Sequence, residues 1–160
     1  MTYVIKISIH RQELQLYQAN ELKSTFLIST ARNGVGNAQG SGCTPLGLHR
    51  IRAKIGTDLP VNAVFVGRRF TGELYCPELA AQYPERDWIL TRILWLCGEE
   101  VGYNRLGNVD SMRRYIYIHG TPDSEPMGVP LSHGCIRMRN SDIIELYQKV
   151  PVGCGVLITI

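Results

Sequence analysis

One cysteine and two histidines in the last third of the chain have the residue types and spacing for nucleophilic chemistry. Cys135 lies in the segment SHGCIRM at 132–138, and His119 lies sixteen residues earlier in the segment YIHG at 117–120. A free thiol has a pKa of about 8.5, so it needs a neighbouring base or a positive environment for efficient attack at neutral pH. His119 and His133 are both candidates for that base. The pattern predicts a cysteine nucleophile activated by a histidine.

The neighbours of these residues supply the other parts of an acyl-transfer site. His119 ends a predicted strand, and this rigid backbone favours it as the base if a main-chain carbonyl holds one ring nitrogen. Gly134 leaves room for the N–H groups of Gly134 and Cys135 to point at a developing oxyanion. Arg137 follows Cys135 by two residues, so it projects from the same strand face and can bind a carboxylate bidentately. The sequence leaves open which histidine is the base.

Two other interpretations of these residues stay open at this point. Cys135, between Gly134 and Ile136, also fits a small buried hydrophobic residue, and a histidine near a turn is often a structural hydrogen-bonding residue. His119, His133 and Cys135 also form a candidate set of metal ligands, although no fourth ligand is evident. Spacing alone does not choose between these interpretations.

Alternation of apolar and polar residues predicts a series of short strands. The predicted strands are Tyr3–Ile9, Gln12–Gln18, Lys23–Thr30, Leu48–Ile55, Val61–Arg69, Ile89–Cys97, Arg114–His119 and Val156–Ile160. Segments 32–47 and 98–111 have loop composition. Segment 71–87 is predicted to be an irregular insertion with a short helix at 78–82. The sequence GVG at 34–36 lacks a third glycine and a following helix, which excludes a dinucleotide-binding turn.

The last part of the chain predicts one helix. Asn140, Ser141 and Asp142 offer N-cap chemistry, Asp142 with Glu145 has capping-box spacing, and the helix ends at about Lys149. The predicted fold is therefore mainly β: a sandwich or open barrel of short strands with one late α-helix and an irregular central insertion. With 160 residues and no internal repeat or linker, the chain is predicted to be a single domain, 1–160.

Composition excludes several classes of function. The formal net charge is only +3 and the basic residues are scattered, so a nucleic-acid partner is not expected. No apolar run approaches the ~20 residues that span a bilayer, so membrane insertion is not expected. The five cysteines are odd in number and form no CxxC pair, which favours free thiols in a reducing compartment. Because the N-terminus shows no export signal, we expect a cytoplasmic protein, or a periplasmic one if a leader has been removed.

The segments around the candidate nucleophile resemble a known family. His119-Gly120-Thr121 followed by SHGCIRM resembles the signature of the YkuD-type L,D-transpeptidases. The segments ST at 29–30 and TPLG at 44–47 resemble the family's "STG…TPxG" segment, and 140–144 with 150–153 resemble its closing helix and strand. Two departures concern the substrate cleft. Ala31-Arg32 stands where the family usually has glycine, and 57–112 matches only loosely.

The resemblance implies a β-sandwich-like catalytic domain that performs acyl transfer on peptidoglycan stem peptides. In that reaction, the thiol attacks the carbonyl of the diamino acid in a tetrapeptide stem and expels the terminal D-alanine. The resemblance implies Cys135 as the nucleophile and His119 as the general base. It implies the Gly120 carbonyl as the group that orients His119, and His133 as a further catalytic-site residue.

The remaining roles follow from the same resemblance. The amides of Gly134 and Cys135 are expected to form the oxyanion hole, and Arg137 is expected to bind substrate. Ser132 is expected to lie among the substrate-binding residues and to hold the loop rather than to take part in the chemistry. No metal and no organic cofactor are implied.

The group that attacks the acyl-enzyme decides the biological role. Water gives an L,D-carboxypeptidase and an amine of a second stem gives 3→3 cross-links. Because no export signal is visible, the sequence favours a carboxypeptidase acting on recycled muropeptides, with the transpeptidase as the alternative. An inactive module that binds wall peptides is a remote third. The partners are then tetrapeptide stems or muropeptides, and the oligomeric state is left open.

Overall fold

The computed structural model describes residues 2–160, and this part of the chain is mainly β. The strands are β1 (Tyr3–Ser8), β2 (Glu13–Gln18), β3 (Glu21–Ser29), β4 (Gly47–Ile55), β5 (Ala63–Val66), β6 (Arg69–Leu74), β7 (Ile89–Gly98), β8 (Tyr117–Thr121), β9 (Ile136–Arg139) and β10 (Gly155–Thr159). The helices are α1 (Pro77–Gln82) and α2 (Asn140–Lys149). Neither described helix has the length and apolar character needed to cross a bilayer. The predicted mainly β fold with one late helix is confirmed.

The described strands form one hydrogen-bonded sheet that closes on itself. Their order is β4-β10-β1-β2-β3-β9-β8-β7-β5-β6, and β4 also pairs with β7. The strands from β4 to β7 in that order therefore form a ring, and β5 and β6 extend from β7 outside it. The β1–β10 and β8–β9 pairs are parallel. In a β-sandwich the strands are divided between two separate sheets. Here they are hydrogen-bonded into one continuous sheet.

The alternating apolar residues of the strands fill the interior of the ring. Ile5 and Ile7 of β1 are almost completely buried and belong to the same cluster as Leu94 of β7 and Ile118 of β8. Complete burial of one such side chain stabilises the fold by about 1.5–3 kcal/mol relative to leaving it exposed. The period-two pattern that predicts the strands therefore also fixes which of their faces point inward.

Helix α2 covers β7, β8 and β9 and begins differently from its prediction. The N-cap is Arg139, without a side-chain capping bond, and Asn140 is already inside the helix. The predicted capping by Asn140, Ser141 and Asp142 is wrong. The Asn140 side chain is buried and bonds into the protein interior instead of to its own helix. At the other end Lys54 donates to the carbonyls of Tyr147 and Val150, at 2.7 and 2.8 Å.

Two strand predictions need correction near the site. The predicted strand Val61–Arg69 is a hairpin, since β5 ends at Val66 and β6 begins at Arg69 inside a segment expected to be partly irregular. The turn residues Gly67 and Arg68 have φ of +55° and +64°, as two-residue hairpin turns require. The predicted strand Arg114–His119 begins only at Tyr117, because Tyr115 has a φ of +56° and interrupts it. The short helix predicted at 78–82 is confirmed as α1.

Acidic conditions should destabilise the fold through His49. This side chain is 1% exposed, and burial lowers its pKa from 6.5 to about 4. Between pH 6.5 and pH 4 the unfolded chain therefore binds one more proton than the folded protein. The free energy of unfolding decreases by about 3 kcal/mol as the pH is lowered through that window. Denaturant unfolding at a series of pH values measures this loss. His49→Asn should flatten the profile, whereas substitution of the exposed His10 by Gln should leave it unchanged; an unaltered slope in His49→Asn contradicts the assignment.

Candidate active site

The register of β8 and β9 brings the predicted site residues onto one face of the sheet. The two strands are parallel neighbours, with His119 opposite Arg137. Side chains two residues apart on a strand share a face, and so do opposite residues of paired strands. Tyr117 and His119 of β8 therefore share a face with Arg137 and with Cys135, which immediately precedes β9. All four line one cavity of about 450 Å³.

The loop before Cys135 is held by the segments that resemble the family's "ST" and "TPxG" sequences. The Ser132 N–H donates to the carbonyl of Thr30 (2.8 Å), and the Leu131 N–H donates to the Ser29 hydroxyl (3.1 Å). Thr44 is completely buried, and its hydroxyl donates to the carbonyl of Gly134 (2.9 Å). These bonds fix the backbone next to Cys135, so the two distant segments have a structural role in the site.

His119 has the geometry of a general base. Its Nδ1 lies 2.6 Å from the carbonyl oxygen of Gly120. Because a carbonyl only accepts, Nδ1 carries the proton and the lone pair of the neutral ring is on Nε2. The side chain is 1% exposed, and burial lowers its pKa below the ordinary 6.5. The ring is therefore neutral at pH 7. His119 lines the same cavity as Cys135.

Cys135 is a neutral thiol in this arrangement. Burial of the sulfur raises the pKa of Cys135 from 9.0 to about 12, against an opposing effect of the Tyr117 N–H, which donates to Sγ at 3.4 Å. The thiol donates to the carbonyl of Tyr115 at 3.3 Å and forms no hydrogen bond with His119. The resting pair is thus thiol and imidazole, not thiolate and imidazolium. Proton transfer to His119 must then accompany the arrival of a substrate carbonyl.

One of the two predicted oxyanion-hole donors is already in use. The N–H of Gly134 donates to the Ser132 hydroxyl (3.2 Å), and that hydroxyl donates to the Cys135 carbonyl (2.6 Å). The Cys135 N–H has no partner within residues 2–160. Of the two predicted donors, Cys135 therefore has an unengaged N–H, whereas the Gly134 N–H is bonded to Ser132, whose hydroxyl ties the loop together. Gly134 itself is required for space, since it has a φ of +135° and a Cβ there would lie 3.3 Å from the Cys43 carbonyl.

Arg137, which the sequence predicts to bind substrate, has an acidic partner within the protein. Its Nη2 lies 3.2 Å from Asp87 Oδ1, and the other oxygen of Asp87 lies 3.5 Å from His133 Nδ1. Asp87 comes from the segment before β7 and bridges the two predicted residues. His133 is 70% exposed at the mouth, whereas Arg137 is almost buried. The structure therefore places His133 at the rim and gives Arg137 an internal partner.

Asp87, His133 and Arg137 line two adjoining cavities. One is the cavity of about 450 Å³ that Cys135 and His119 also line. The other, of about 370 Å³, has charged side chains for half of its lining residues. No three His, Cys, Asp or Glu side chains in residues 2–160 are close enough together to hold a metal ion. The site is arranged for thiol chemistry beside a second, polar chamber.

Comparison with known families agrees with this geometry. Residues 2–158 match the family model described as the L,D-transpeptidase catalytic domain, YkuD. The chain belongs to this family. Cys135, the candidate nucleophile, and His119, the candidate base, both lie within the matched residues.

Individual relatives match this L,D-transpeptidase domain over short segments. It is 52% identical over 42 residues to the putative L,D-transpeptidase YqjB of Bacillus subtilis, covering 26% of this chain and 24% of that protein. It is 51% identical over 43 residues to the probable L,D-transpeptidase YbiS of Escherichia coli, covering 27% and 14%. The matched segments therefore span a quarter or less of these relatives.

Solved structures extend the similarity to the whole fold. L,D-transpeptidase 3 of Mycobacterium tuberculosis, in complex with a faropenem-derived adduct, superposes with a TM-score of 0.63 at 16% identity, covering 99% of this chain and 60% of that one. The C442S mutant of the Enterococcus faecium L,D-transpeptidase gives 0.60 at 16% identity, covering 99% and 50%. At this identity the similarity shows the fold, and this chain spans about half to three fifths of those proteins.

A buried polar network behind His119 was missed by sequence analysis. The Asn140 side chain accepts from Thr91 (2.6 Å) and donates to Asn62 (3.1 Å) and Asp123 (3.2 Å). A Cβ on Gly120 would collide with the Asn140 side-chain oxygen. The network thus packs against Gly120, whose carbonyl is hydrogen-bonded to His119 Nδ1. Its partners come from three separate segments, so no local pattern indicates it.

Alkylation of Cys135 should be slow at neutral pH and rise steeply above it. With a pKa near 12 instead of 9.0, the thiolate fraction at pH 8 is lower by about three powers of ten. We expect the rate of reaction with iodoacetamide, resolved for Cys135 by mass spectrometry, to rise about tenfold per pH unit up to pH 10.5. The same peptide in urea-unfolded protein should level off near pH 9. A plateau near pH 9 in the folded protein contradicts a buried neutral thiol.

Proposed function

We propose that this protein is a cysteine acyl-transfer enzyme that cleaves the L,D bond between the diamino acid and the terminal D-alanine of peptidoglycan tetrapeptide stems. The observation that supports this most directly is the arrangement of Cys135 and His119 in one cavity of a chain that belongs to the L,D-transpeptidase family. His119 has Nδ1 held by Gly120 and Nε2 available as a base.

The chemistry follows from these positions. As the substrate carbonyl arrives, Cys135 transfers its proton to His119 Nε2 and its sulfur attacks the carbonyl carbon. The Cys135 N–H stabilises the oxyanion. The C–N bond then breaks, D-alanine leaves with the proton from His119, and a thioester remains. An incoming nucleophile gives its proton to His119, attacks the thioester and releases Cys135.

We propose an amine of a second stem as the incoming nucleophile, which makes the reaction a transpeptidation. The supporting feature is the second cavity of about 370 Å³, which shares Asp87, His133 and Arg137 with the cavity of the nucleophile. Cross-linking needs two peptides beside one thiol, and two adjoining chambers provide that room. The sequence-based preference for hydrolysis rested on the expected compartment and not on any feature of the site.

Hydrolysis is the second candidate, giving an L,D-carboxypeptidase. Cys135 keeps accessible surface and His133 at the rim is 70% exposed, so water reaches the thioester when no acceptor occupies the second cavity. Both candidates share the acylation step and differ only in the attacking group.

A mass-spectrometric time course in heavy-oxygen water distinguishes the two. Purified protein is incubated with a tetrapeptide muropeptide whose own side-chain amine is acetylated, with no acceptor, with a second stem that has a free amine, and with the same second stem acetylated on that amine. Transpeptidation yields a dimer lacking one D-alanine with the free stem only. A tripeptide carrying heavy oxygen in all three reactions, without dimer, identifies the carboxypeptidase. Absence of both products with retained peptide binding leaves the inactive binding module and refutes acyl transfer; Cys135→Ala is the matched blank.

A further inference from the structure

The cavity of Cys135 contains an arginine, Arg68, that has no acidic partner in the described chain and uses only one of its hydrogen-bond donors. Arg68 lies at the tip of the β5–β6 hairpin and lines the same cavity as Cys135 and His119. No carboxylate within residues 2–160 is at ion-pair distance from Arg68. A guanidinium has five N–H donors, and Arg68 uses one of them, to the hydroxyl of Tyr117 at 3.0 Å. The remaining donors are available to an anion.

The other two arginines of this cavity are engaged within the protein in different ways. Arg137 is paired with Asp87. Arg114 donates to the carbonyls of Gly36 (3.2 Å) and Cys43 (2.7 Å) and to a serine hydroxyl, so its guanidinium holds loops together. Of the three, only Arg68 combines the absence of an acidic partner within residues 2–160 with a guanidinium that makes no hydrogen bond to the backbone.

The side chain of Arg68 is held in place by two aromatic rings. Its guanidinium lies 4.6 Å from the centre of the Trp95 ring and 4.7 Å from that of Tyr115. Stacking of this kind orients the planar fork while leaving its edge free for bidentate hydrogen bonds. The left-handed turn at Gly67 and Arg68 directs the arginine back from the hairpin towards these rings. A flexible surface arginine has none of these constraints.

Tyr117 connects Arg68 with the nucleophile. Its backbone N–H contacts the sulfur of Cys135, and its hydroxyl accepts from Arg68, so the guanidinium is about one tyrosine side chain away from the thiol. Burial raises the pKa of Tyr117, which keeps the phenol protonated. Because that oxygen accepts from Arg68, its own O–H remains free to donate. Arg68 and Tyr117 together thus present N–H and O–H donors to the same space.

We propose that Arg68, assisted by the Tyr117 hydroxyl, binds the terminal carboxylate of the D-amino acid that leaves during acylation. This role rests on the proposed function and names the group that selects the donor stem. In a peptide the terminal carboxylate lies one residue beyond the scissile carbonyl, so its receptor must be close to the thiol but separate from it. Arg68 meets that requirement, whereas Arg137, predicted to bind substrate, already has Asp87 as an acidic partner.

Matched peptides that end in D-alanine or D-alanine amide test the assignment. The wild-type protein should turn over the acid with a kcat/KM about tenfold to a hundredfold above that of the amide, as expected for hydrogen bonds to a charged group. Arg68→Gln should lose this preference by slowing the acid only, and Arg68→Lys should keep part of it. Arg69→Gln, on the next and exposed residue of the hairpin, should keep all of it. Arg137→Gln should keep the acid-to-amide ratio even where its overall rate falls.

The proposal is overturned if Arg68→Gln retains the preference, if Arg137→Gln loses it instead, or if the wild type shows none. Calorimetric binding of both peptides to Cys135→Ala protein, with and without Arg68→Gln, repeats the comparison without turnover. Absence of turnover with an Arg68-dependent binding preference refutes acyl transfer and supports the carboxylate site. Turnover of the acid and the amide with equal kcat/KM supports acyl transfer and refutes the carboxylate site.

Discussion

Replacing Cys135 with alanine should abolish acylation and reduce turnover by roughly 10³-fold or more, since loss of a catalytic nucleophile costs up to about 10⁶-fold in comparable enzymes. Cys135 is the only described cysteine that lines the cavity with His119. No other thiol in that part of the chain is placed to replace it.

The acyl-enzyme can be observed directly by intact-protein mass spectrometry. A carbapenem such as imipenem presents a strained, electrophilic β-lactam carbonyl, so a cysteine nucleophile that attacks it is marked by a covalent adduct. We expect a single adduct on the wild type and on Cys76→Ala, and none on Cys135→Ala. Cys76 is a suitable control because it precedes α1 and makes no side-chain capping bond. An adduct on the Cys135→Ala protein shows that the nucleophile is elsewhere.

The second large effect concerns the base. His119→Ala should lower kcat by about 10²- to 10⁴-fold, the usual contribution of general-base catalysis. His133→Ala should have a much smaller effect, because His133 is exposed at the rim and contacts Asp87 rather than the thiol. This contrast resolves the choice between the histidines that the sequence leaves open.

The pH dependence separates the two histidines further. His119 must be neutral to accept a proton, and burial lowers its pKa, so kcat/KM should hold steady as pH falls to 6.5 and decline only below that value. His133→Gln should leave this decline in place, whereas in His119→Asn it should disappear together with most of the rate. His119→Asn retains a side-chain N–H for the Gly120 carbonyl, and thermal unfolding checks that the fold survives. A decline that moves in His133→Gln assigns the base to His133.

Asp87 shows why part of the site could not be predicted. Its carboxylate joins Arg137 and His133 from a segment 46 to 50 positions away, and that segment has no strand or helix periodicity. Arg137 is on the predicted face of its strand, so its position was predictable. Its ion pair with Asp87 was not. Whether a charge is free to bind substrate depends on its neighbours in space.

The hairpin tip gives a second example. The sequence Val61–Arg69 alternates well enough to predict one strand, and an arginine is an uncommon residue for a left-handed turn. The turn at Gly67 and Arg68 forms because Val66 pairs with Arg69 and Phe65 with Phe70, which are contacts of the assembled sheet. The residue that we assign to carboxylate binding therefore lies where local propensity favours a continuous strand.

Side-chain periodicity predicted the mainly β fold and the strand that ends at His119, because periodicity is a local property, whereas β9 was not predicted as a strand. Cys135 and His119 were predicted as nucleophile and base from their residue types, their spacing and the family resemblance. The tertiary structure alone decided the state of these groups. It made the thiol and the imidazole neutral by burial, occupied the Gly134 N–H with Ser132 and the Arg137 charge with Asp87, and left Arg68 free. Burial and partner choice depend on segments that meet only when the sheet closes, and for that reason no linear pattern contains them.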